Sequence, residues 1–192
     1  MTTYIAPFAH QVLPDGSIQN AQSVQQRRLS DMRGFYADSA AEQAAASADP
    51  LIYEVHYAYV PQEVPGELGI CSTIIHPGRI GDEYFMTKGH FHAQRDRAEL
   101  YFGLRGRGML VMETPDGQTH AQVMTPGTSA YVPPYWAHRT VNVGEEPFVF
   151  LACFPADAGY DYGTIAERGF GIIVVERDGS PAVVPNPSRQ QG

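Results

Sequence analysis

TKGHFH, residues Thr87 to His92, carries two histidines separated by one residue. Successive side chains alternate across the pleat of a strand, so His90 and His92 are predicted to share a face and to be able to grip one ion. Reading on gives H-x-H-x6-E-x6-G, which places Glu99 on the next predicted strand. Farther along, PPYWAHRTVN, residues Pro133 to Asn142, contributes His138. Three imidazoles and one carboxylate suit a first-row transition metal rather than calcium, and they leave coordination positions for a substrate. The H-x-H pair alone reads more readily as two half-buried histidines satisfied by backbone groups. The second run shifts the balance toward a metal site.

Outward from this core the chain reads as strand punctuated by turns. Leu51, Tyr53, Val55, Tyr57 and Tyr59 alternate with their neighbours, which predicts a strand over Leu51–Val60 with one aromatic face. Further strands are predicted at Gly69–Ile75, Glu83–Met86, His90–His92, Glu99–Gly103, Gly108–Met112 and Thr119–Met124. The series continues with Ser129–Val132, Arg139–Val143, Phe148–Cys153 and Ile172–Glu176. Turn signals such as Pro77-Gly78, Pro115-Asp116-Gly117, Pro126-Gly127 and Asp178-Gly179 separate them, the pattern of a sandwich or barrel. The predicted class is therefore all-β, a jelly-roll barrel with a few short peripheral helices. One helix is expected from a capping box at Ser39-Ala40-Ala41-Glu42 through Ala48, stopped by Pro50, and another over Asp161–Glu167. The expected organisation is one domain over 1–192, with an N-terminal arm and helix in 1–50, the barrel in 51–155, and helix, strand and a frayed tail from Pro185 in 156–192.

Composition bounds the partners. A formal charge of −8 and only 13 Lys+Arg give no basic stripe for a nucleic acid. The same field opposes any anionic small molecule, so such a substrate needs local backbone N–H groups, hydroxyls or a single cation. Lys88, the chain's sole lysine, sits inside the metal motif, where it reads either as that cation or as a solvated or carboxylate-paired side chain. Cys71 and Cys153 lie in apolar runs and are expected to be buried free thiols. MTTYIAPFAH has no basic segment followed by an apolar run, and no stretch is long and apolar enough to span a bilayer, so a cytoplasmic protein without membrane contact is expected.

Gly127, Pro133, His138 and Asn142 fall at the spacing G-x5-P-x4-H-x3-N, and together with the first motif this resembles the cupin superfamily. Tyr135 stands where a glycine is usual. RLSDM at Arg28–Met32, T-x-I-x-PG at Thr73–Gly78, TKGHFH, ELY at Glu99–Tyr101, PPYWAHRTVN and PADAGYDYGTIAERGF at Pro155–Phe170 narrow the resemblance. They are similar to the cupin-type glucose-6-phosphate isomerases of archaea and some bacteria. The resemblance implies aldose–ketose isomerisation of glucose 6-phosphate to fructose 6-phosphate, in a homodimer. It implies one divalent metal per subunit on His90, His92, Glu99 and His138, iron(II) first, with nickel, manganese or zinc as alternatives. It also implies Glu99 as the proton-transferring residue and Thr73, Thr87 and Gly89 as phosphate contacts. Tyr101 shares the Glu99 face by strand parity. Phe154 stands where the resemblance implies a phosphate-contacting tyrosine, and Tyr160 where it implies a histidine, so Tyr160 is a candidate to supply the missing hydroxyl. An iron-dependent dioxygenase and a sugar-binding protein without turnover remain alternatives for the same ligand set. His10, His56, His76 and His120 lie outside both motifs and are expected to be structural.

Overall fold

Period-two alternation makes strand the dominant element of the computed structural model, which describes residues 5–61 and 64–189. The first four residues of the predicted arm and the last three of the predicted tail lie outside that range. The chain begins with β1 (Ser23–Arg28), a 3-10 turn (Leu29–Met32), α1 (Ser39–Ala45), β2 (Leu51–Tyr59) and β3 (Leu68–Ile75). Two short strands follow, β4 (Arg79–Ile80) and β5 (Glu83–Tyr84), and then the main run: β6 (Glu99–Arg105), β7 (Gly108–Glu113), β8 (Thr119–Met124) and β9 (Ser129–Val132). The chain continues with β10 (Ala137–Asn142), β11 (Phe148–Pro155), α2 (Gly163–Arg168), β12 (Ile172–Arg177), β13 (Ser180–Pro185) and a 3-10 turn (Pro187–Arg189).

A six-stranded antiparallel sheet has the order β1-β2-β3-β11-β6-β9, and it faces a three-stranded sheet, β10-β7-β8. Between them lies the lumen of an all-β jelly roll. A third sheet, β13-β12-β5-β4, joins two short strands from within the barrel sequence to two that follow it. Parity decides what fills the lumen. Glu99, Tyr101 and Gly103 of β6 are buried while Leu100 and Phe102 are exposed, and Phe148, Phe150, Ala152 and Phe154 of β11 point inward beside them. At the closed end, Phe148 is fully buried against Gly108, where an added Cβ would meet its ring at 2.2 Å.

Asn142, the last residue of the second motif, holds three segments together. Its side-chain amide donates to the carbonyls of Ile75 and Glu146, both at 2.9 Å, and its Oδ1 accepts from Gly144 N–H at 2.9 Å. A buried side chain satisfied in this way pins the exit of β10 to the end of β3. Tyr135 keeps the backbone conformation expected of the usual glycine: its φ is +71°, left-handed, and its ring is exposed.

Several element boundaries correct the sequence-based expectations. The H-x-H segment is not a regular strand: residues 86–91 follow β10 through isolated bridges, Met86 to Val141 and His90 to His138. Likewise the strand predicted over Glu83–Met86 ends at Tyr84. The helix predicted from a Ser39 cap is capped instead by Asp38, whose carboxylate accepts from Ala41 N–H at 2.9 Å, and it stops at Ala45. Glu42, expected to complete the box, accepts from Gly34 N–H at 3.1 Å. The late helix starts two residues beyond Asp161, whose carboxylate caps Thr164 instead. β13 escaped the sequence reading, and the expected frayed tail is docked through Arg189, which ion-pairs with buried Glu113 at 2.6 Å. No helix among the described residues is long and apolar enough to cross a membrane.

Candidate metal centre and substrate pocket

The four predicted ligands converge. His90 arrives on the irregular segment beside β10, His92 one residue beyond it, Glu99 opens β6, and His138 is the second residue of β10. One ligating atom from each lies within 4.8 Å of all the others. Glu99 Oε2 sits 3.2 Å from His92 Nε2 and 3.0 Å from His138 Nε2. Second contacts set the imidazole tautomers: His92 Nδ1 is 2.9 Å from the Arg97 carbonyl and His138 Nδ1 is 3.3 Å from the Trp136 carbonyl. A carbonyl only accepts, so Nδ1 donates on both rings and Nε2 faces Glu99, where it holds either a proton shared with the carboxylate or a metal ion in that proton's place.

Electrostatics agree with that use. Burial alone would raise the Glu99 carboxyl, but its contacts with His138 and His92 outweigh it and bring the pKa down to about 2. Burial, reinforced by the neighbouring His138, holds His90 well below the usual histidine range, so its ring is neutral at physiological pH. His90 Nε2 is buried and has no hydrogen-bond partner among the described residues. A buried, neutral, unpartnered imidazole nitrogen beside an ionised carboxylate is a donor set that fits a divalent transition metal.

The centre opens into a pocket of about 70 Å³ between the two barrel sheets. Every residue proposed from the sequence for substrate contact is on its wall: Thr73, Thr87, Gly89, Tyr101 and Tyr160, together with Glu99, His90 and His138. Glu99 and Tyr101 do share a face, as parity requires. Burial and the Glu99 charge push the Tyr101 phenol well above its ordinary pKa, so it remains a proton donor. Tyr160 is half-exposed at the mouth, its ring 4.9 Å from His90 and 6.4 Å from Phe154.

Sequence reasoning missed several wall residues, among them four that carry hydroxyls. Thr140 follows His138 at strand parity and could have been read from it; its N–H donates to Thr87 Oγ1 at 3.1 Å. Tyr53 and Tyr57 lie on the aromatic face of β2, a signal recognised as a strand but not as a wall. Tyr162 stacks on Tyr160 at 5.8 Å, and no local pattern announces it. Lys88 also reaches the wall; it forms no ion pair among the described residues and its Nζ lies 5.4 Å from the Phe35 ring centre. The histidines outside the motifs stay away from the centre: His56 and His76 flank Glu54 at 3.9 and 3.2 Å, and His10 and His120 are exposed. Both cysteines are free thiols, Cys71 buried on the pocket wall and Cys153 half-buried on the outer face of β11.

A family model described as Glucose-6-phosphate isomerase (GPI) matches residues 26–186. The chain is 50% identical over 186 residues to a glucose-6-phosphate isomerase of Thermococcus litoralis, covering 96% of this chain and 97% of that protein. It is 50% identical over 185 residues to that of Pyrococcus furiosus, with the same coverage of 96% and 97%. It is 42% identical over 182 residues to that of Sinorhizobium medicae, covering 93% of this chain and 85% of that protein.

Proposed function

The chain belongs to the glucose-6-phosphate isomerase family, and from that premise we propose how its pocket interconverts glucose 6-phosphate and fructose 6-phosphate. The observation that carries the reading is the meeting of His90, His92, Glu99 and His138 at the base of a pocket otherwise walled by hydroxyls, aromatic rings and one lysine. A divalent cation held by these four residues, iron(II) before nickel, manganese or zinc, supplies Lewis-acid stabilisation of negative charge developing on the sugar oxygens. Glu99 is the base in this reading: it takes the proton from C2 of the open-chain aldose and returns it to C1, while the hydroxyl proton passes from O2 to O1. Tyr101, held protonated beside it, donates a hydrogen bond to a sugar oxygen. Thr73, Thr87 and Gly89 bind the phosphate, with Tyr160 supplying from the mouth the hydroxyl that Phe154 lacks.

The exposed apolar pair Leu100 and Tyr131, in register across β6 and β9, with Phe102 beside them, supports a homodimer formed on the outer face of the six-stranded sheet. Isomerisation of this substrate supports a role in cytoplasmic sugar-phosphate metabolism, in both the glycolytic and the gluconeogenic direction.

Turnover of glucose 6-phosphate in deuterated water tests the chemistry. Deuterium at C1 of the fructose 6-phosphate is expected if Glu99 exchanges its proton with solvent. Product still unlabelled after many forward and reverse passes would replace the proton transfer with a direct hydride shift from C2 to C1. Oxygen consumption, or binding without product, would replace isomerisation altogether.

A further inference from the structure

Arg139 follows His138 on β10, and strand alternation sends its side chain to the face opposite His138 and Thr140. That face is buried; Arg139 is 3% exposed. A guanidinium taken out of water normally has a carboxylate partner, because unpaired buried charge is costly. Arg139 has none within ion-pair distance among the described residues; buried Glu83, whose Oε1 is also unpartnered, is the carboxylate that most favours its charged form. Arg139 Nη2 donates to the Lys88 carbonyl at 2.7 Å, its Nη1 meets only the Met86 sulfur at 3.0 Å, and its Nε is unpartnered. The guanidinium lies 4.6 Å from the centre of the Phe170 ring.

The Lys88 carbonyl belongs to the same peptide unit as the Gly89 N–H. In a trans peptide the two point in opposite directions, so anchoring the carbonyl behind the wall aims the N–H away from Arg139. Gly89 lines the pocket, and its N–H makes no hydrogen bond among the described residues. The segment has little freedom to turn otherwise. Gly89 has φ +72°, and a Cβ there would meet the Phe170 ring at 2.7 Å, Arg139 Cβ at 2.8 Å and the His138 carbonyl at 3.0 Å. Thr87 N–H is tied to the Thr140 carbonyl at 2.9 Å on the other side. A charged donor on a carbonyl also polarises the peptide and strengthens its N–H as a donor.

We propose that Arg139 is a positioning residue for substrate recognition: from behind the pocket wall it fixes and polarises the Lys88–Gly89 peptide, so that Gly89 N–H is presented to the anionic end of the substrate. The inference rests on the isomerase reading and deepens it. The positive charge of Arg139 thereby acts on the phosphate through one peptide unit without entering the pocket.

The test compares Arg139→Met, Arg139→Gln and Arg139→Lys with the unsubstituted protein, with bound metal quantified in each. Arg139→Met should raise KM for glucose 6-phosphate by roughly tenfold, with kcat little changed, as expected for lost uniform binding. It should weaken competitive inhibition by inorganic phosphate by the same factor and leave the metal content as it was. Arg139→Lys, which keeps both donor and charge, should restore most of the affinity, and Arg139→Gln, a donor without charge, should fall between. Should Arg139→Met fail to accumulate as folded protein, the order of the glutamine and lysine variants decides the same question. Unchanged KM and phosphate inhibition would overturn the proposal, as would loss of metal and kcat with phosphate affinity retained. An unsubstituted protein that does not isomerise glucose 6-phosphate would instead fail the functional reading, and calorimetric titration with inorganic phosphate would then test Arg139 by itself.

Discussion

Each of the four proposed metal ligands depends on the other three, because the site is buried and an orphaned carboxylate there would carry uncompensated charge. His138→Ala removes a ligand and one of the two imidazole contacts that keep Glu99 ionised, so it is expected to abolish metal retention and activity together. Metal analysis of the purified variant checks this; full metal content would contradict the ligand assignment. Tyr160→Phe is expected to raise KM for the sugar phosphate by roughly tenfold with kcat little changed, since a contact to a group whose charge does not alter contributes uniform binding. An unaltered KM would make Tyr160 a rim residue that packs on His90. At Tyr135 the left-handed φ costs a non-glycine residue about 1–2 kcal/mol, of which a glycine would return part through its own unfolded-state entropy. Tyr135→Gly should therefore stabilise the fold by up to about 1 kcal/mol in urea unfolding; a loss of stability would show that the exposed ring packs usefully. The convergence of the four side chains was legible from the spacing of the two motifs, although only Glu99 and His138 sit on regular strands. Tyr162 and Arg139 were not, since the first is placed by a loop and the second acts from the opposite face.

At the scale of elements, long alternating runs were legible and short or irregular ones were not. β2, β3, β6 and β11 appear close to where alternation puts them. The H-x-H segment failed as a strand for a physical reason: Gly89 breaks the extended conformation, and only single bridges tie the segment to β10. Its histidines still converge because His90 pairs directly with His138. The C-terminal segment was misread because its anchor is a contact distant in sequence. Glu113, fully buried at the end of β7, ion-pairs with Arg189 at 2.6 Å and Arg168 at 3.3 Å and accepts from Gly171 N–H. Glu113→Ala is expected to cost about 2 kcal/mol, less than the ~3–5 for a wholly buried pair because both arginines keep some solvent. Limited proteolysis should then cut first beyond Phe170. A variant as stable and as protected as the parent would show that β13 docks through its strand pairing alone.

For the whole molecule, the arrangement answers the problem that charge poses. A chain of formal charge −8 has to admit a dianionic substrate, so attraction must come from within the pocket. Lys88 on the wall, the N–H of Gly89 and Arg139 behind it concentrate positive potential at one point between the sheets. The barrel makes this workable by bringing β3, β6, β10 and the 87–90 segment to one lumen although they are far apart in sequence. Composition revealed the need for such a device, and only the folded chain reveals where it lies. Isomerisation at the four-ligand centre requires turnover to depend on the metal held there. The most direct measurement is the coupled rate of conversion of glucose 6-phosphate to fructose 6-phosphate, taken before chelation, after chelation to measured metal absence, and after return of iron(II). Loss of the rate on removal and its recovery on return are predicted; an undiminished rate in the metal-free protein would contradict the account.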